Sequence, residues 1–130
     1  SGVLVPNPHC IVFVEDDETL DSLDLTAARA VAPAAVFPDG VNVEFVVPVG
    51  HPGDHHVRMR VFERGVGETL SCGTGAVAVM VAAAARDEAP QETAYDVDVP
   101  GGRVRVTRRA DAHLELRGPA LIVARGRITA

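Results

Sequence analysis

The chain has 130 residues, 47% of them hydrophobic, with 12 basic and 18 acidic side chains and a formal net charge of −6. That is one domain's worth of sequence, enough to bury a core without disulfide or metal staples. The acidic balance excludes nucleic acid as the main partner, because no basic stripe is present to neutralise phosphates. Every basic side chain is arginine, so no lysine Schiff base can form within these residues. Cys10 and Cys72 are too few for a disulfide framework and point to a reduced, cytoplasmic setting. The N-terminus has no basic segment followed by an apolar one, so no secretory leader is expected. The longest apolar run, Ala76 to Ala85, falls short of the ~20 residues that span a bilayer, so no membrane partner is expected. Without repeats or an internal linker, residues 1–130 are expected to form a single domain.

In chain order, Val3–Val5 and the segment Pro6-Asn7-Pro8-His9 precede an apolar run, Cys10 to Val14. The run reads as a strand with Asn7 and His9 at its start. Asp16-Asp17-Glu18 reads as a solvated turn, and Asp21 as the N-cap of a helix from Ser22 to about Val31, stopped by Pro33. Pro38-Asp39-Gly40 signals a turn into a strand at Val41–Val46, whose odd positions are apolar and whose Asn42 and Glu44 share the other face. A loop around Gly50–Asp54 leads to a strand at His56–Phe62, where Val57, Met59 and Val61 alternate with Arg58 and Arg60. The next stretch is loop-like, with Gly65 and Gly67 breaking the periodicity.

Thr74 to Ala85 is a run of Ala, Val and Met with one Gly and no polar face. It predicts a helix buried on all sides, ending near Arg86 before Pro90. Tyr95, Val97 and Val99 then alternate with Asp96 and Asp98. A two-residue turn at Gly101-Gly102 is expected to pair Val99 with Val104 and Asp98 with Arg105. Further strands are expected around Leu114–Leu116 and Leu121–Val123. The expected class is α+β: one long buried central helix wrapped by a curved, mostly antiparallel sheet.

Candidate chemistry concentrates at Cys72-Gly73-Thr74-Gly75, where a loop becomes the first turn of that helix. The first N–H groups of a helix lack internal partners, and the dipole there favours negative charge. Small residues let a ligand's oxygens approach them, and a thiol placed there has its thiolate stabilised. The residues alone leave two readings open: a carboxylate cradle beside an activated sulfur, or a structural helix start with Cys72 as a small apolar residue. Glu63 and Arg64 read as functional groups or as a surface pair. Asn7 and His9 read as site or turn residues, and Asn42 as a ligand contact or a solvated side chain. Cys10 reads as core. His51, His55 and His56 crowd one Gly- and Pro-containing loop without helical spacing or a nearby Cys, so no metal site is expected.

Three separated motifs, Asn7-Pro8-His9, Asn42-Val43-Glu44-Phe45 and ERGVGETLSCGTGA from Glu63 to Ala76, together resemble diaminopimelate epimerase. The resemblance spans nearly the whole chain but only the C-terminal half of such an enzyme, in which two pseudo-symmetric α+β domains flank an active-site cleft. It implies a cofactor-independent, pyridoxal-independent isomerase of lysine and peptidoglycan-precursor synthesis that interconverts LL- and meso-diaminopimelate with two thiols. By the same resemblance, Cys72 is one catalytic base and Glu63 the group that orients or deprotonates it. His9 is implied as the partner of the other cysteine, which the missing N-terminal domain carries. Asn7, Asn42 and Arg64 are implied as substrate ligands, and Gly73 and Thr74 as backbone donors to the α-carboxylate. Pro6 stands where the family carries Gly before Asn-Pro-His.

The implied partners are diaminopimelate and the missing domain. A separated half with an exposed interdomain face is prone to associate, a homodimer being one form, and is expected to be inactive alone. Two other readings remain. One is a proline racemase-like enzyme, against which Arg64 argues as a cation suited to a second carboxylate. The other is a non-catalytic carboxylate-binding domain.

Overall fold

The computed structural model describes residues 1–26, 35–36 and 38–129. The strands are β1 (Gly2–Val5), β2 (Asn7–Phe13), β3 (Asn42–Pro48), β4 (His56–Glu63), β5 (Gly67–Thr69), β6 (Thr93–Val99), β7 (Gly102–Arg108) and β8 (Leu114–Arg117). The helices are α1 (Asp17–Ser22) and α2 (Gly73–Arg86). All strands join one 8-stranded sheet in the order β1-β2-β3-β4-β6-β7-β8, with β5 added to β4. The pairs β2·β3 and β4·β6 are parallel and the other pairings antiparallel. Each parallel pair needs a crossover; α1 lies in the first and α2 in the second. The class is α+β.

Helix α2 touches β1 and β2 at one end of the strand order and β7 and β8 at the other. A flat sheet could not reach one helix from both ends, so the sheet curls around it. From Gly75 to Ala84 every residue of α2 except the half-buried Val81 is buried. Its interior Val and Met side chains contribute roughly 1.5–3 kcal/mol each relative to exposure. At 14 residues α2 has an ordinary length for a globular domain rather than an exceptional one. No helix among the described residues is long and apolar enough to cross a membrane.

The sheet carries a core on each face. Ile11, Val46, Met59, Val61 and Val97 pack with α2, while Leu20, Val43, Phe45, Val47 and Phe62 form a second cluster with Leu25. Period-two alternation therefore places the even positions of β3 on the α2 side and the odd positions on the other. All of Asn42–Val47 is buried. The face shared by Asn42 and Glu44 is thus not a solvated one: α2 covers it.

Three local expectations are corrected. Helix α1 starts earlier than Ser22, because Asp16 is its N-cap, with the side chain accepting from Thr19 N, and Asp17 and Glu18 suit the first turn. Leu23 ends it in an extended conformation, and the rest of the expected helix, residues 27–31, lies outside the described residues. The β6–β7 turn is Pro100-Gly101, so Val99 pairs with Gly102, Val97 with Val104 and Asp98 with Arg103. Pro at the first and Gly at the second central position suit a tight turn, and a register moved by two keeps the same faces together. Leu121–Val123 is not a strand but exposed chain without regular secondary structure.

Candidate functional site

Cys72 is the N-cap of α2, in extended backbone, and its side chain accepts from Gly75 N with Sγ at 3.4 Å. Thr74 Oγ1 lies 3.6 Å from the same sulfur. Ala76 N opens the helical ladder on Cys72 O at 2.8 Å. Helix geometry leaves the N–H groups of Gly73 and Thr74 outside that ladder. The thiol is half-buried, and Leu116 of β8 closes over Gly73, where a Cβ would stand 3.2 Å from its Cδ2.

Beneath this turn is a buried polar pair. His9 Nδ1 lies 2.6 Å from Glu44 Oε1, and both side chains are fully enclosed. Strands β2 and β3 run parallel with His9 beside Asn42 and Ile11 beside Glu44, so alternation puts His9 and Glu44 on the α2 face together. Gly75 is what admits the carboxylate: a Cβ there would come within 2.7 Å of Glu44 Oε1 and 3.2 Å of Cys72 Sγ. Burial pushes the Glu44 carboxyl up; the His9 hydrogen bond pulls it down and the nearby Glu63 charge adds to the rise. Glu44 Oε2 is buried with no partner among the described residues. On the other side of the ring, His9 Nε2 faces Asn7 Oδ1 at 3.3 Å.

A second group ties β3 to the β4–β5 turn. Asn42, buried, accepts the Arg64 N–H on Oδ1 at 2.7 Å. Arg64 itself is exposed and donates to Asp39 O at 2.9 Å. Thr69 donates to Glu63 Oε1 at 2.6 Å, so the hydrogen bond to Glu63 here comes from Thr69 rather than from Cys72.

The family model for diaminopimelate epimerase matches residues 3–123. The chain belongs to the diaminopimelate epimerase family. It is 55% identical to a diaminopimelate epimerase from Streptomyces coelicolor over 96% of its own length and 43% of that relative's. Identity to the epimerase of Mycobacterium tuberculosis is 51%, over 96% of this chain and 42% of that one. The chain thus spans less than half the length of the curated relatives it matches. Among solved structures it is similar to a PhzF-family phenazine biosynthesis protein from Bacillus anthracis, with a TM-score of 0.51 at 20% identity. That match covers 85% of this chain and 33% of the other, and it speaks for the fold alone.

Against this family background, the structure gathers Cys72, Gly73 and Thr74 at the start of α2 and sets Asn7 on the ring of the enclosed His9. It joins Asn42 to the backbone of Arg64. His51, His55 and His56 go separate ways: His51 N bonds Asp54, His55 stacks on Tyr95, and His56 pairs with Asp98. The residue sequence reasoning passed over is Glu44. It stood within the Asn42-Val43-Glu44-Phe45 motif, on the polar face of a strand two positions from Asn42, without a role assigned to it; only the packing of α2 turns that face inward.

Proposed function

We propose that this chain is the C-terminal domain of a cofactor-independent, two-thiol diaminopimelate epimerase, with Cys72 as one catalytic base. The observation that carries the reading is the placement of Cys72 as the N-cap of α2, sulfur on the Gly75 N–H, in a member of this family. Inverting a Cα centre requires removing a proton from one face and returning one to the other. Cys72, as thiolate, takes the α-proton from one face; a thiol of the missing half gives one on the opposite face, so protons balance and no cofactor enters. Charge accumulating on the α-carboxylate meets the Gly73 and Thr74 N–H groups at the helix start. These donors stabilise the transition state more than the substrate.

Glu63, held by Thr69, orients or deprotonates Cys72. Arg64, Asn42 and Asn7 bind the substrate's polar ends; the Arg64 cation suits the second carboxylate of diaminopimelate. His9 serves the second thiol, and because it is enclosed it meets the other half through half-exposed Asn7. The domain alone supplies one catalytic thiol and is inactive. In the full-length protein it acts in lysine and peptidoglycan-precursor synthesis, in a cytoplasm that keeps Cys72 reduced. The test is α-proton exchange in deuterated water, followed by NMR, on the full-length parent with LL-diaminopimelate and proline side by side. Exchange on diaminopimelate alone supports the reading. Exchange on proline alone replaces it with a racemase, and none on either leaves a carboxylate-binding domain.

A further inference from the structure

A carboxylate that merely filled space under α2 would be replaced without loss by an apolar side chain, since enclosing a charge costs more than packing a hydrophobe. The surroundings of Glu44 argue for more than filling. Its Oε1 lies 2.6 Å from His9 Nδ1, and the gap it occupies exists only because residue 75 has no Cβ. Across the ring, Nε2 faces the amide oxygen of Asn7, the half-exposed member of the three. Facing an acceptor, Nε2 keeps its own proton, so one further proton lies between Nδ1 and Glu44.

We propose that Glu44 is the positioning residue for His9: it holds the shared proton and sets whether the ring is neutral or charged, while Asn7 keeps its orientation. Among the described residues, His9 from β2 and Glu63 from β4 act on this carboxylate, and Cys72 at the start of α2 flanks the same Gly75. Both side chains are fully enclosed, and enclosing an ion pair costs more than enclosing its neutral form, so in the resting domain the shared proton sits on the Glu44 side. Burial raises the Glu44 carboxyl in the same direction, against the His9 hydrogen bond that lowers it. When negative charge arrives beyond Asn7, the proton passes from Glu44 Oε1 to His9 Nδ1, leaving a carboxylate and an imidazolium with no net proton gained. That the arriving charge is the second thiolate rests on the epimerase reading; the geometry of the pair does not.

The experiment uses the full-length parent as wild type, Glu44→Gln and Glu44→Asp, with His9→Phe to assign the His9 imidazole in proton–nitrogen spectra. Glu44→Gln keeps the shape but cannot take the proton. It is expected to change the His9 ring spectrum and to slow diaminopimelate exchange about tenfold or more in kcat, with KM within about threefold and Tm unchanged or higher. Glu44→Asp restores part of both. An unchanged His9 spectrum in Glu44→Gln overturns the proposal, whatever happens to Tm, as does exchange within about twofold of wild type across the pH range. A wild-type parent that exchanges nothing sinks the epimerase reading alone, and the ring spectrum then decides for or against Glu44.

Discussion

Gly75→Ala probes the contact on which the site is built. A Gly to Ala change inside a helix ordinarily stabilises by about 1 kcal/mol. At position 75 the new Cβ would sit 2.7 Å from Glu44 Oε1, closer than atoms tolerate, and 3.2 Å from Cys72 Cβ and Sγ. Glu44 cannot swing aside cheaply, because it is fully buried and held at 2.6 Å by His9. Overpacking of this kind costs about 1–3 kcal/mol. The net is a loss of up to roughly 2 kcal/mol, read as a Tm lower by up to roughly 8 °C. The decisive assay is a thermal double-mutant cycle with Glu44→Ala in the full-length parent. With the carboxylate gone, Gly75→Ala recovers the ordinary helix gain, so the two changes couple by at least about 1 kcal/mol. A higher Tm for Gly75→Ala in the wild-type background, or the same effect in both backgrounds, refutes the reasoning.

Cys72→Ser separates the structural from the chemical role of this N-cap. Serine is among the preferred N-caps, so Tm stays within a few degrees or rises by the equivalent of up to about 1 kcal/mol, while diaminopimelate exchange is lost. A Tm collapse would show that packing of the sulfur dominates. Asp98→Asn tests the ionic contacts of Asp98 with Arg103 and His56. The Arg103 bond, with help from His56, holds the Asp98 carboxyl below its usual range. Its stabilisation is therefore present at neutral pH, above the unfolded carboxylate value, and is lost as pH falls through the lowered folded value. Wild type should exceed Asp98→Asn at pH 7 by about 1 kcal/mol or less, given the solvent screening of this partly exposed pair. The gap should close under acid denaturation, and a gap that widens there contradicts the assignment.

Where the sequence was legible, a local pattern and its tertiary use agreed. The alternation of Tyr95–Val99 and of Val57–Val61, and the all-apolar run of α2, state which side chains go inside whatever the topology. Cys72 at a helix start was readable for the same reason, since Gly73 and Gly75 mark the change from loop to helix. The misses arose from competition or from tertiary cover. Asp16 and Asp21 both suit an N-cap; Asp16 prevails, with Asp17 and Glu18 following it in the first turn. Both Pro100-Gly101 and Gly101-Gly102 can turn a hairpin, and the shift of two between them leaves every face unchanged, so alternation could not choose. Glu44 was illegible for a deeper reason. Alternation within β3 says only that Asn42, Glu44 and Val46 share a face, and the identity of what covers it is fixed by the α2 crossover. Leu121–Val123 shows the converse, apolar residues that nothing described in this chain covers.

The most direct test of the account is α-proton exchange on LL-diaminopimelate by the reduced full-length parent, wild type against Cys72→Ala, in deuterated water. The account expects wild-type exchange that collapses by several orders of magnitude in the variant, with its Tm preserved. Exchange that survives in a folded Cys72→Ala protein would contradict the assignment of Cys72 as a base.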